Sequence, residues 1–128
     1  GARQLAVTTQ GVGMATFRAT HTIFSGSGEV SDCSDPSFTV ESLGHNLFSN
    51  QPQSCFTLDD TDLFVAPLLG AIGDHGGYSP TLPLLPNSPA LDAGLADCAQ
   101  NDGSPLTTDQ RLEPRPNGAR CDIGAFEL

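Results

Sequence analysis

A short apolar block occurs twice in this chain. His21-Thr22-Ile23-Phe24-Ser25 returns as His45-Asn46-Leu47-Phe48-Ser49, an offset of 24 residues. Three of the five positions are identical, and the other two exchange Thr for Asn and Ile for Leu. A fixed period of this size is the mark of a solenoid, in which each unit buries its apolar face only by stacking on the next. The competing reading is chance similarity between two ordinary strands. The flanking residues favour strands in either case. Ala15, Phe17 and Ala19 alternate with Thr16, Arg18 and Thr20, and Phe38-Thr39-Val40-Glu41 alternates ahead of the second copy. That period of two belongs to half-buried strands. The stretch between the copies, with Ser25-Gly26-Ser27-Gly28, Asp32, Asp35 and Pro36, is loop chemistry.

Composition agrees with strands and turns. Eleven of the fifteen acids are Asp, and fourteen Gly and ten Pro stand among 128 residues. Asp serves turns and caps, where its short carboxylate reaches nearby N–H groups. From Asp59 onward the pattern changes. Leu63-Phe64-Val65 is a short apolar run, residues 73–80 read as a loop, and Pro80, Pro83, Pro86 and Pro89 punctuate an extended path. Proline at that frequency forbids a helix and a central strand alike. The expectation is one domain over residues 1–128, with coils over about 1–58 and a last coil plus a C-terminal cap over about 59–128. The cap is expected to wrap the end of the stack.

The formal net charge is -10, and all five cations are arginine. Such a surface repels phosphate backbones, so no nucleic-acid partner is expected. The longest apolar run, Leu63 to Gly73, is broken by Pro67 and is far short of the roughly 20 residues a spanning helix needs, so no membrane insertion is expected. Four cysteines, Cys33, Cys55, Cys98 and Cys121, show no CxxC spacing and no His at ligand spacing. They read as two disulfides in an oxidising compartment and not as a zinc site. Four cysteines allow three pairings. Cys33–Cys55 with Cys98–Cys121 is favoured, because each joins sequence neighbours around a turn-rich loop.

The stretch GDHGGYSPTLPLLPNSPALDAG, followed by TDQRLEPRPNGARCDIGAFE, resembles the C-terminal module of choice-of-anchor Q domain proteins of bacterial surfaces. GHNLFSN looks like a coil motif of the same family. The likeness spans roughly residues 13–127 and is most specific at NSPALDAG and at TDQR followed by CDIGAFE. It implies an all-β fold of the pectin-lyase-like class, a short right-handed parallel β-helix with extracellular display. It also implies the two cysteine pairings favoured above. It implies no known activity. Family members normally carry many coils ahead of this module, whereas about two are legible here, and the usual anchor is not seen after Leu128.

Candidate chemistry is sparse. Asp59, Asp60 and Asp62 form the densest carboxylate cluster and are weak calcium candidates, with a solvated turn as the plainer reading. Asp92, Asp109 and Asp122, together with Arg111, have the residue types of a glycosidase pair. The preferred reading is that the carboxylates cap turn N–H groups and that Arg111 pairs with one of them. Polyuronate lyase chemistry is disfavoured by the absence of Lys and by the negative charge. His21 and His45, at equivalent repeat positions, are expected to stack as a packing ladder. No catalytic residue, metal or other cofactor is assigned. The expected function is a secreted, non-catalytic structural or adhesive module, assembling with another copy or with an upstream β-helix chain through an open N-terminal edge. The alternative is a carbohydrate-binding module or remnant polysaccharide lyase, with Tyr78 as its glycan-facing aromatic.

Overall fold

The structure is a computed structural model, and it describes residues 14–26, 38–50 and 55–128. These residues form an all-β arrangement with no helix among them. The strands are β1 (Ala15–Ala19), β2 (Ile23–Phe24), β3 (Phe38–Ser42), β4 (Leu47–Phe48), β5 (Phe56–Thr57) and β6 (Leu63–Phe64). Odd strands form one parallel sheet in the order β1-β3-β5, and even strands a second in the order β2-β4-β6. Each pass of the chain therefore places one strand in each sheet.

The repeat sets the register. Ile23 pairs with Leu47 and Phe24 with Phe48, and the next pass sets Leu63 and Phe64 beside them. The third copy reads Thr61-Asp62-Leu63-Phe64 and arrives after 16 residues instead of 24, because the connection ahead of it is shorter. Identical side chains stack along the ladder. The Phe24 and Phe48 rings lie 4.9 Å apart at 7°, and Phe64 continues the stack 5.6 Å from Phe48. Phe56 of the odd-strand sheet meets Phe24 and Phe48 edge-on, joining the two sheets through aromatic contact. Edge-to-face pairs of this kind add about 0.5–1.5 kcal/mol beyond their buried area.

The alternation in β1 is only partly expressed. Ala19 is buried, but Phe17 is 39% exposed, whereas its register partner Val40 is 4% exposed. Among the described residues, Val40 has a neighbouring strand on each side and Phe17 has β3 on one side.

Adjacent residues of a strand face opposite sides. Leu47 and Phe48 are 0% and 3% exposed, so both faces of β4 are covered. The aromatic stack lines one face. The other face carries Ile23, Leu47 and Leu63, and it packs against Leu84, Ala90 and Ile123 from the C-terminal half. The contacts of that half reach beyond the last pass. Gly124 N donates to His21 O, Asn101 Nδ2 to Arg18 O, and Ile123 N to Ala90 O. The segment runs along the flank of the even-strand sheet and reaches the first pass. A sheet apolar on both faces needs this cover, as parallel sheets generally do.

Residues 66–128 contain no extended strand. Isolated antiparallel bridges such as Leu69 with Leu84 and Thr108 with Pro114 close successive turns. Eight of the ten prolines fall after Asp59, and they withhold the N–H groups a longer ladder requires. Cys98 and Cys121 form a disulfide with Cα atoms 5.5 Å apart. Cys33 lies outside the described residues, so its pairing with Cys55 is not described.

Candidate functional site

Two polar constellations hold the flank segment together and attach it to the strands. The first gathers the predicted carboxylates. Asp109, 5% exposed, accepts from the backbone N–H groups of Arg111, Glu113 and Glu127 and from Arg111 Nε. An Arg111 terminal nitrogen lies 2.7 Å from its carboxylate. Burial pushes the Asp109 carboxyl up, but these donors together leave it below the ordinary carboxylate range. Asp122, 4% exposed, accepts from Asp92 N at 2.8 Å and from Leu128 N at 2.8 Å. Asp92 stands outside this buried group and accepts from Arg120 N at 2.9 Å.

Two members of the constellation are not singled out by sequence reasoning. Glu127 accepts from Asn117 N and Asp122 N, and Arg115 Nε lies 3.5 Å from its Oε2. Burial is the main force raising the Glu127 carboxyl above its usual value. Arg115, 8% exposed, also donates to Gly124 O at 2.6 Å. The Arg111 guanidinium covers the Phe126 ring at 3.5 Å, and a second Arg111 donor reaches Glu127 O. The CDIGAFE motif therefore supplies three anchors of the last turn, Asp122, Phe126 and Glu127, and its density of unusual residue types is the sequence signal for them.

The chemistry this network supports is positional. A glycosidase pair needs carboxyl oxygens presented to a substrate across a cleft. Here the oxygens of Asp109 and Asp122 are occupied by backbone donors.

The second constellation lies where the flank segment meets the strand passes. Asn46 is fully buried. Its Oδ1 accepts from Thr22 N on the first pass, and its Nδ2 donates to Ala19 O and to Asp62 Oδ1. Thr22, Asn46 and Asp62 precede the paired residues Ile23, Leu47 and Leu63, so they form a polar rung beside the aliphatic ladder. Asp62 also accepts from Ser42 Oγ and, through its other oxygen, from Asp59 N. The weak calcium candidates Asp59, Asp60 and Asp62 lie in different settings. Asp62 is turned inward with both oxygens engaged, Asp59 Oδ1 accepts from Thr61 N and Oγ1, and Asp60 is exposed. The three do not converge. Among the described residues no group of three or more His, Cys, Asp or Glu is gathered for a metal.

Beside that rung, the rings of His21 and His45 stack with centroids 5.7 Å apart and planes 24° from parallel. Both residues adopt positive φ, at 49° and 55°. Residues 93–95 run across the two rings: Leu95 N donates to His21 Nε2 at 2.8 Å, and His45 Nδ1 donates to Ala93 O at 2.9 Å. Gly94 lies so close that a Cβ there would meet His21 Cδ2 at 2.8 Å and Cys121 O at 2.7 Å.

No protein-family model, curated protein or solved structure matches this chain.

Proposed function

We propose that this chain is the terminal part of a short right-handed parallel β-helix, and that it serves as a non-catalytic structural or adhesive module of a secreted or cell-surface protein. The observation that carries the reading is the segregation of odd and even strands into two parallel sheets with side chains stacked in register. Such a stack is built to be extended by one more pass. The resemblance to choice-of-anchor Q proteins rests on the motif residues alone and points the same way, and the Cys98–Cys121 bridge suits an oxidising compartment.

The partner is another copy or an upstream β-helix chain, added at the β1 and β2 edge. Among the described residues each of these strands pairs on one side only. The flank segment already occupies Arg18 O near the end of β1 and His21 O in the turn that follows, which confines the stacking edge to the start of β1 and to β2. Ala19 O accepts from Leu43 N, so by alternation Thr16 turns its N–H to the outer edge. Light scattering of the native chain, alone and with candidate upstream β-helix chains, tests the reading. Assembly that is lost in Thr16→Pro, which removes that outer donor, and kept in Thr16→Val, which removes only the hydroxyl contact with Thr39, supports it. A monomer that binds no such chain overturns it.

A second reading has its own observation. Tyr78 is 92% exposed and precedes Ser79 on the rim of a groove of about 1030 Å³, which Thr81, Gln110 and Ile72 also line. An exposed ring beside hydroxyl and amide groups suits a glycan. Glycan binding abolished by Tyr78→Ala would favour this reading over assembly.

A further inference from the structure

We propose that the stacked His21–His45 pair is an acid-operated latch, which holds residues 93–95 against the first two passes and releases them when His21 takes up a proton. The two rings differ in how they hold the segment. His45 donates from Nδ1 to Ala93 O, a carbonyl that can only accept, so that bond survives a second proton on the opposite nitrogen. His21 accepts at Nε2 from Leu95 N, and a proton on Nε2 abolishes the bond and sets two donors against each other. His21 is therefore the sensor and His45 the support.

The surroundings sharpen the response. His45 faces the His21 ring from the next pass, Arg115 and Arg120 face it from the flank segment, and Asp97 is the carboxylate that opposes them. Arg120 Nε is itself fixed to Gly94 O at 2.7 Å, within the tripeptide that crosses the rings. A cation formed at His21 meets three neighbours that are cationic or can become so, against one anion. The close approach at Gly94 leaves the ring little room to turn away.

Burial first, and then these neighbours, lower His21 from 6.5 to about 4. A detached ring titrates near its ordinary value. Between those limits the detached state binds more protons, so docking weakens as pH falls from 6.5 toward 4 and is unaffected above neutrality. The full effect is on the order of a hundredfold in the docking equilibrium, because the ring is only half-buried and water moderates the shift. The Cys98–Cys121 bridge keeps the released part closed as one loop, and of the residues packed on the Leu47 cluster only Ala93 lies within it, so Leu84, Ala90 and Ile123 keep that face covered.

Amide hydrogen exchange of the whole chain, measured residue by residue from pH 7.5 to 3.5 and corrected for intrinsic rates, tests this. The expected result is a loss of protection at Leu95 across the window while Leu47 stays protected. His21→Gln, whose carbonyl accepts in place of Nε2 and does not titrate, should show no pH dependence at Leu95. Parallel loss at Leu95 and Leu47, or the same profile in His21→Gln, overturns the latch. If the variant fails to fold, NMR titration of the His21 ring in the unmodified chain decides: a midpoint well below the ordinary value supports the latch, and one near 6.5 overturns it.

Discussion

Asp62 Oδ1 accepts from both nitrogens of Asn46, from N at 3.0 Å and from Nδ2 at 3.2 Å, across neighbouring passes. Asn46 in turn reaches back to Thr22 N and Ala19 O on the pass before, so one buried amide ties three passes together. Asn46→Ala would leave Thr22 N without its acceptor and empty a fully buried site, while Ala19 O keeps Leu43 N and Asp62 Oδ1 keeps Ser42 Oγ. The expected cost is about 2–4 kcal/mol, read from urea unfolding midpoints. Asn46→Asp should be worse at neutral pH, where two carboxylates would face each other, and partly recover in mild acid.

The aromatic ladder gives a graded test of burial. Phe48→Ala, at a position 3% exposed between two stacked rings, should cost about 3–5 kcal/mol. Phe64→Ala removes the terminal ring, 47% exposed, and should cost less than half as much. Equal losses in thermal unfolding would mean that Phe64 is covered by more than Phe48.

Removing the bridge with Cys98→Ala and Cys121→Ala opens a loop of sequence separation 23. The loop-entropy relation gives about 3 kcal/mol for a ring of this size. The flank segment should become protease-sensitive before the strands do, and limited proteolysis of the paired variant reads this directly.

Asp109 carries an acid dependence whose sign is fixed by its donors. Its carboxyl lies below the unfolded value, so its stabilisation is present above the unfolded pKa and is lost as pH falls through the folded one. Asp109→Asn should therefore be less stable than the parent at neutral pH, by about 1–3 kcal/mol. The gap should begin to narrow below about pH 4, where the unfolded carboxyl takes up a proton, and close only below the folded value, where the parent carboxyl is protonated too. Paired urea titrations at pH 7 and pH 3 measure it.

The strand passes were legible because the HTIFS and HNLFS blocks repeat in residue type and spacing, and the paired strands of the first two passes follow from them. The third pass escaped the same search. Its offset is 16 and its first two residues are Thr61 and Asp62, so only Leu63 and Phe64 keep the pattern. The inward turn of Asp62 is not legible locally either: Asp59, Asp60 and Asp62 read alike as a solvated turn in sequence, and only the fold sets Asp62 against Asn46 and Ser42. The path of the flank segment could not be read locally. Nothing near Gly124 or Asn101 announces a bond to His21 or Arg18, because the need for that bond arises on β4, where Leu47 and Phe48 both require cover. Arg115 and Glu127 were missed because an isolated arginine and an isolated glutamate look like surface residues until burial brings them together.

The contact between the flank segment and the first pass also bears on how the chain acquires its structure. Leu95 and His21 are 74 residues apart, and Asn101 and Arg18 are 83 apart. Contacts that distant must close large loops before they return any stabilisation, and such topologies fold slowly. During synthesis the early passes emerge with the Leu47 face bare until Leu84 and Ala90 follow, and its cover is incomplete until Ile123 has been made. The nascent chain is then a pair of edge-exposed parallel sheets, which makes the interval before Ile123 emerges an aggregation-prone one.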